Sequence, residues 1–381
     1  VRVLIDYRPA LRTRSGVGEY VHQLVAALIG RFAPDGPHTL LDLTLFSSSW
    51  KDRLHLGAEL DGVSAVDRRI PVSLLNFAWH RLGWPPAEML IPGPVDVTHS
   101  LHPLMLPARA AARVITIHDL NFLTHPERTR AEIRRDYPAL VRTHAHTANA
   151  IIVPSRFTAH EVERRLEVPA VRITVCSPGA PDWTPRRSTP ADGYILFLGT
   201  LEPRKNIGTL LDGYERLLST RLAARQSTPE LVLAGKETPE SRPWLARIRR
   251  SPLAGHVRHL GYVDPVDRRA VYEGARLLVQ PSFEEGFGIP VLEAMTAGVP
   301  VVAADRGALP EVIGDAAVLV DAQNPEAMAA GIGRLLDDEA LASVCVAKGV
   351  QRARHFTWRE TAARVYGVYQ QAMDHRARTT A

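Results

Sequence analysis

The chain has 381 residues, 45% of them hydrophobic and 23% charged, with a net charge of +5; that is the composition of an ordinary globular protein, and the length favours two domains over one core. No apolar run approaches the ~18 residues of a membrane span, the opening VRVLIDYRPA lacks the long apolar region of a secretory signal, and two distant cysteines, Cys176 and Cys345, exclude a disulfide framework or a thiolate metal site. The basic balance suits an acidic ligand or an anionic surface, but no zinc-finger spacing or aromatic-basic repeat accompanies it, so nucleic acid is not an expected partner and a reducing cytoplasm is the expected home.

Short β-branched or apolar runs alternate with longer helical patterns along nearly the whole chain, the signature of parallel sheets with crossover helices. In chain order, strands are expected at 1–6, 39–46, 95–99, 113–118, 149–154 and 172–176, and helices at 17–30, 72–82, 127–147 and 156–166. Residues 178–193, PGAPDWTPRRSTPADG, hold four prolines and no hydrophobic period, and read as an interdomain linker. The pattern restarts with strands at 194–199, 230–234, 257–263, 276–281, 299–303 and 316–320. Helices follow at 206–218, 241–250, 265–274, 290–297, 325–336, 338–354 and 358–374. The expected fold is α/β, with Rossmann-like doubly wound parallel-sheet domains over 1–178 and 194–357, a linker at 179–193, and a terminal helix in 358–381 that frays after Asp374. Ligands of such folds bind at the carboxyl ends of the strands, here expected in a cleft between the domains.

The most informative stretch is PSFEEGFGIPVLEAMTAG at 281–298. Gly286 and Gly288 let the backbone approach a ligand. Pro290 suits the first turn of a helix whose N–H groups and positive dipole end welcome a phosphate. Glu285 and Glu293 would repel that phosphate if they faced it, so they are better suited to accept hydrogen bonds from neutral hydroxyls. A ligand that is part phosphate and part polyol, such as a nucleotide sugar, fits both demands. After strand 194–199 the loop GTLEPRKN brings Arg204 and Lys205 to where they can reach a diphosphate, unless they stand as a solvated surface pair. Charge-assisted bonds contribute about 1.5–3 kcal/mol each against ~0.3–1 for the helix dipole, so the basic pair would dominate.

Other signals are weaker. The first loop, with Ser15, Gly16, Val17 and Gly18, has Val21 where a dinucleotide fingerprint wants its third glycine, which disfavours a nicotinamide cofactor. It is either a flexible loop at the ligand or a tight βα turn. His118 and Asp119 end the strand RVITIHDL, at a position facing the crevice, although Asp119 also suits a turn cap. His99 with His102, and His144 with His146, have metal-like spacings, but no carboxylate accompanies them and no Asp-x-Asp occurs, so no metal is expected. The segment 70–91 mixes Leu74, Leu75, Phe77, Trp79 and Trp84, near Arg68, Arg69 and Arg81. It reads as a core-facing helix or as a seat at a lipid interface. The arginine-rich 127–146 reads as a solvated face or an attractor of anionic lipid.

With these residues in place, the chain resembles the family 4 retaining glycosyltransferases of the GT-B fold over nearly its full length. GTLEPRKN at 199–206, LGYV at 260–263, PSFEEGFGIPVLEAMTAGVPVVAAD at 281–305 and LPEVIGDAAVLVD at 309–321 stand in the family's order. TIHDLNFLTHPE at 116–127 is similar to the subgroup with bacterial mannosyltransferases of surface-polysaccharide assembly. The resemblance implies transfer of a hexose from a nucleotide-sugar donor, mannose from GDP-mannose by the subgroup, to a hydroxyl of a glycan or lipid-linked saccharide. It implies no cofactor and no metal, and peripheral contact with the cytoplasmic membrane face. UDP- or dTDP-sugar donors, a sugar-nucleotide epimerase and a non-catalytic nucleotide-sugar-binding protein are the alternatives.

By the same resemblance, Arg204 and Lys205 neutralise the departing diphosphate, helped by the backbone at Gly286, Phe287, Gly288 and Ile289. Glu285 holds a hydroxyl of the donor sugar and Glu293 the ribose hydroxyls. His118 touches the transferred sugar, Gly16 and Gly18 leave room for donor phosphate and acceptor, Thr200 borders the donor, and Tyr262 and Val263 lie near the base. Asp119 is a further candidate. The final helix returns to the N-terminal domain. Several relatives carry paired glycines in the first loop where Arg14 and Ser15 precede Gly-Val-Gly here, a departure that bears on acceptor contacts.

Overall fold

The computed structural model describes residues 1–11, 14, 16–32, 40–50, 52–128 and 131–380. Ser15 and Thr39, and Thr129 and Arg130 of the expected helix 127–147, lie outside the described residues. The chain forms two compact units, one of 1–126, 130–179 and 357–381, the other of 127–129 and 180–356.

The first unit is built on parallel strands β1 (Arg2–Asp6), β2 (Asp42–Ser48), β3 (Ser64–Arg68), β4 (Val97–Ser100), β5 (Ala112–Thr116), β6 (Ala150–Val153) and β7 (Ile173–Val175), in the order β3-β2-β1-β4-β5-β6-β7. Val3, Leu4, Ile5 and the whole of β6 are buried apolar runs, whereas the central β4, VTHS, is polar and equally buried. β3 was not expected: SAVDR is a half-exposed edge with no apolar run to announce it, held by its register on β2. The helices are α1 (Val17–Phe32), α2 (Val72–Phe77), α3 (Asn121–Thr124), α4 (Ala131–Thr147) and α5 (Arg156–Leu166). α2 continues as a turn of π-helix, Ala78–Leu82, and stops at Gly83 with φ 62°. The strand order reverses direction between β1 and β4, and the carboxyl ends of those strands lead to Asp6 and His102.

The second unit repeats the plan with β8 (Tyr194–Leu198), β9 (Leu231–Ala234), β10 (Val257–Gly261), β11 (Ala275–Gln280), β12 (Val301–Ala304) and β13 (Val318–Val320), all parallel in the order β10-β9-β8-β11-β12-β13. Its helices are α6 (Ile207–Ala223), α7 (Arg242–Arg247), α8 (Pro265–Glu273), α9 (Ile289–Thr296), α10 (Leu309–Ile313), α11 (Pro325–Asp337) and α12 (Glu339–Ala353). Alternate strand residues enter opposite cores: Ile195, Phe197, Leu277 and Val279 on one face, Leu196, Leu278, Val301 and Ala303 on the other. α10, five residues long, is too short to show a helical period and was not expected. Here the order reverses between β8 and β11.

The last helix, α13 (Trp358–Thr380), returns to the first unit, packing on α1, β4, β5 and β6 with Ala362, Val365, Val368, Tyr369 and Ala372 buried. Its basic end does not fray at Asp374. The helix runs on, and Arg376 donates to the carbonyls of Arg109 (2.5 Å) and Ala110 (3.2 Å). The proline-rich segment is likewise no free tether. Ala180 and Arg186 donate backbone N–H groups to Phe356 and Ala297, and the Arg186 guanidinium holds the carbonyls of Glu273 and Ala275. That guanidinium supplies donors that prolines lack, strapping the segment to the second unit.

Candidate active site

The reversal point of the second sheet gathers the strongest charges. Ligands of open α/β sheets bind where the order reverses, and the loops that leave β8 and β11 meet there, the Phe283 N–H donating to the Arg204 carbonyl at 2.9 Å. Lys205, buried, places Nζ 2.5 Å from Glu285 Oε1; Arg204 donates from Nη1 to Oε2 at 3.2 Å and pairs through Nε with Glu202 at 2.7 Å. Gln280 Nε2 (2.8 Å) and Ser282 Oγ (2.7 Å) also donate to Oε1. Burial alone would raise the Glu285 pKa, but the charges of Lys205 and Arg204 outweigh it and hold the carboxyl down at about 2. Thr200 lies in the same loop, its carbonyl accepting the Glu202 N–H.

Glycines set this geometry. Gly288 caps α9 with φ 105°, and a Cβ there would meet Leu309 Cδ2 at 2.6 Å. Gly307, at φ 61°, lies so near Glu285 that a Cβ would fall 2.7 Å from its carbonyl oxygen, which accepts the Ala308 N–H at 2.9 Å. At the start of α9, Pro290 has no N–H, and Val291 and Leu292 donate back to Gly288. Phe287, Gly288 and Ile289 precede Pro290 at this helix start, beside the buried Gly286.

Glu293 belongs to a second buried network on α8 and α9: Arg268 Nη1 donates to its Oε1 at 2.8 Å and the Tyr272 hydroxyl to its Oε2 at 2.8 Å. Tyr262 and Val263 follow β10, two strands from β8, which sets them about 10 Å along the strand ends. Arg268, Tyr272, Gln280, Ser282 and Gly307 were not expected from the sequence. Only Gln280 carried a signal, as a polar residue closing the apolar run Leu277–Val279.

In the first unit, Gly16 takes φ 53° with open space where a Cβ would be, and Gly18 is buried in the first turn of α1. His118 donates from Nε2 to the Leu101 carbonyl at 3.0 Å and meets Tyr20 edge-on, ring centroids 4.8 Å apart. Burial lowers its pKa, opposed by that carbonyl, so the ring is neutral and Nδ1 carries a lone pair. Asp119 caps a turn, accepting the Asn121 N–H at 3.2 Å. His99 is bonded to the Tyr369 hydroxyl (2.8 Å) and Thr116 (2.9 Å), and His102 to Asp6 (3.0 Å) and the Leu104 N–H. Among the described residues no three His, Cys, Asp or Glu side chains cluster as metal ligands.

Residues 14–182 match the family described as Glycosyltransferase Family 4, and residues 185–352 the one described as Glycosyl transferases group 1. The chain is 34% identical over 281 residues to O-antigen chain mannosyltransferase B of Escherichia coli, covering 69% of this chain and 71% of that protein. It is 30% identical over 189 residues to a phosphatidyl-myo-inositol mannosyltransferase of Mycolicibacterium smegmatis, about half of either protein (47% of each). In fold it is similar to a sucrose-phosphate synthase from Thermosynechococcus elongatus, with a TM-score of 0.77 at 22% identity over 97% of this chain and 98% of that one.

Proposed function

The chain belongs to the family 4 glycosyltransferases of the GT-B fold, and from that premise we propose that it moves mannose from GDP-mannose, with retention, to a hydroxyl of a glycan or lipid-linked saccharide. The observation that carries the transfer chemistry is the network of buried Lys205 and Glu285 with the half-buried Arg204 at the reversal point of the second sheet. Mannosyltransferases among its relatives support the choice of sugar.

Lys205 and Arg204 bring two positive charges to this point, held by Glu285 and, at the edge, by Glu202. As the glycosidic bond breaks, negative charge grows on the leaving diphosphate, and preplaced cations stabilise it without reorganisation. Glu285 Oε1 already accepts three bonds, whereas Oε2 accepts one from Arg204; Oε2 is therefore the atom for a sugar hydroxyl. Glu293, oriented by Arg268 and Tyr272, accepts from the ribose. In the first unit, His118 accepts a sugar hydroxyl at Nδ1. Asp119 is engaged in its turn, which favours attack from the face of departure over a protein nucleophile. Because two side-chain cations meet the leaving charge, turnover should survive EDTA.

The test is a donor panel with a lipid-linked saccharide acceptor and NMR of the product. The expected result is GDP release and an α-mannoside. Preference for a UDP-sugar would overturn the base, an inverted anomer would overturn retention, and isomerised sugar from donor alone would point to an epimerase.

A further inference from the structure

The loop that leaves β4 is held by side chains. Three successive N–H groups in it find side-chain acceptors: Leu104 donates to His102 Nδ1 at 3.1 Å, Met105 to His144 Nδ1 at 3.0 Å and Leu106 to Ser100 Oγ at 2.7 Å. Leu101, Leu104, Met105 and Leu106 are buried, so their backbone groups need partners. A backbone N–H only donates, so His102 Nδ1 is bare and the ring proton sits on Nε2. That proton points at Asp6 Oδ2, 3.0 Å away. Asp6, fully buried, is in turn fixed by Arg8, which donates from Nε at 2.8 Å and from Nη2 at 2.7 Å. A loop that needed only an acceptor is served by a single bond, as Ser100 serves Leu106; His102 is clamped at both ring nitrogens.

The clamp reaches His118 through one peptide. The Leu101 carbonyl, which accepts the His118 Nε2 proton at 3.0 Å, lies in the same planar unit as the N–H of His102. Holding His102 at two points limits rotation of that plane, and so fixes the direction of the carbonyl. Among the described residues this carbonyl is the one hydrogen-bond partner of the His118 ring. Tyr20 meets the ring only edge-on, and the Thr158 hydroxyl bonds the His118 carbonyl instead. The tautomer of a neutral imidazole follows the bonds its nitrogens make. With the carbonyl turned aside the proton is free to move to Nδ1, which then donates where it should accept. We propose that His102, backed by Asp6, is a positioning residue for His118: it holds the Leu101 carbonyl so that Nδ1 stays an acceptor, a role in turnover that rests on His118 touching the transferred sugar.

The experiment is nitrogen NMR of the full chain carrying labelled histidine, with the His118 signals assigned by their loss in His118→Gln. Wild type should show Nε2 protonated and Nδ1 bare. In His102→Ala the two nitrogen shifts should move toward each other as tautomers mix. In His102→Asn, whose side-chain oxygen can accept an N–H two residues on, they should lie closer to wild type. At saturating substrates His102→Ala should be about tenfold slower, with no further loss when it is combined with His118→Gln. A wild-type His118 protonated at Nδ1, or an unchanged tautomer in folded His102→Ala, overturns the proposal. So do losses that multiply in the double variant. A His118→Gln variant as fast as wild type overturns the sugar contact, while the tautomer still decides the clamp.

Discussion

Glu285 folds with its carboxylate buried against Lys205 and Arg204, so its protonation is linked to stability. Its folded pKa of about 2 lies below the ordinary 4.5; the stabilisation is full above 4.5 and is lost as pH falls through about 2, amounting to about 3 kcal/mol. Urea melts from pH 5 to 2 should show that loss, and Glu285→Gln should lack it while keeping the share due to Asp6, which Arg8 and His102 hold well below the carboxylate range against its burial. Tyr272→Phe removes the hydroxyl from Glu293 Oε2 and should cost about 1.5–3 kcal/mol in melting experiments, as expected for a bond to a charged acceptor. Arg204, Lys205 and Glu285 stood out as charged residues in loops marked by glycine and proline, and Glu293 as the lone carboxylate on the apolar helix that follows. Arg268 and Tyr272 did not, since on an amphipathic helix a buried arginine looks like any solvated one until its partner, 25 residues later, folds against it.

The start of α9 carries the site's backbone geometry, and its glycine-to-proline spelling made it readable before the fold was known. Gly288→Ala would force a side chain into φ 105° and against Leu309, a strain of about 1–3 kcal/mol. Calorimetry should find a lower melting temperature and weaker nucleotide binding. Gly307 went unread because its partner is the backbone of Glu285, a contact that only the tertiary fold creates. β3 and α10 were missed for a simpler reason, being too short or too exposed to impose a hydrophobic period, whereas fully buried β6 and β12 announced themselves as apolar runs.

Across the whole chain, two doubly wound sheets and a returning helix were readable from alternation and family order, but the strap at 180–193 was not, because prolines signal a break and not where the broken segment lies. α13 is part of the first unit's core: its Tyr369 hydroxyl meets His99, which burial holds neutral with a pKa of about 3. Tyr369→Phe leaves a buried ring nitrogen unpaired and should lower unfolding stability by about 1–3 kcal/mol, with the loss seen in melts of the intact chain. The central claim, that Lys205 and Arg204 stabilise a departing diphosphate, is tested most directly by acceptor-dependent release of nucleotide at saturating donor, wild type against Lys205→Ala. A fall in kcat of about 10²–10³ is expected in a variant that circular dichroism shows to be folded; unchanged kcat in that folded variant would contradict the role of Lys205.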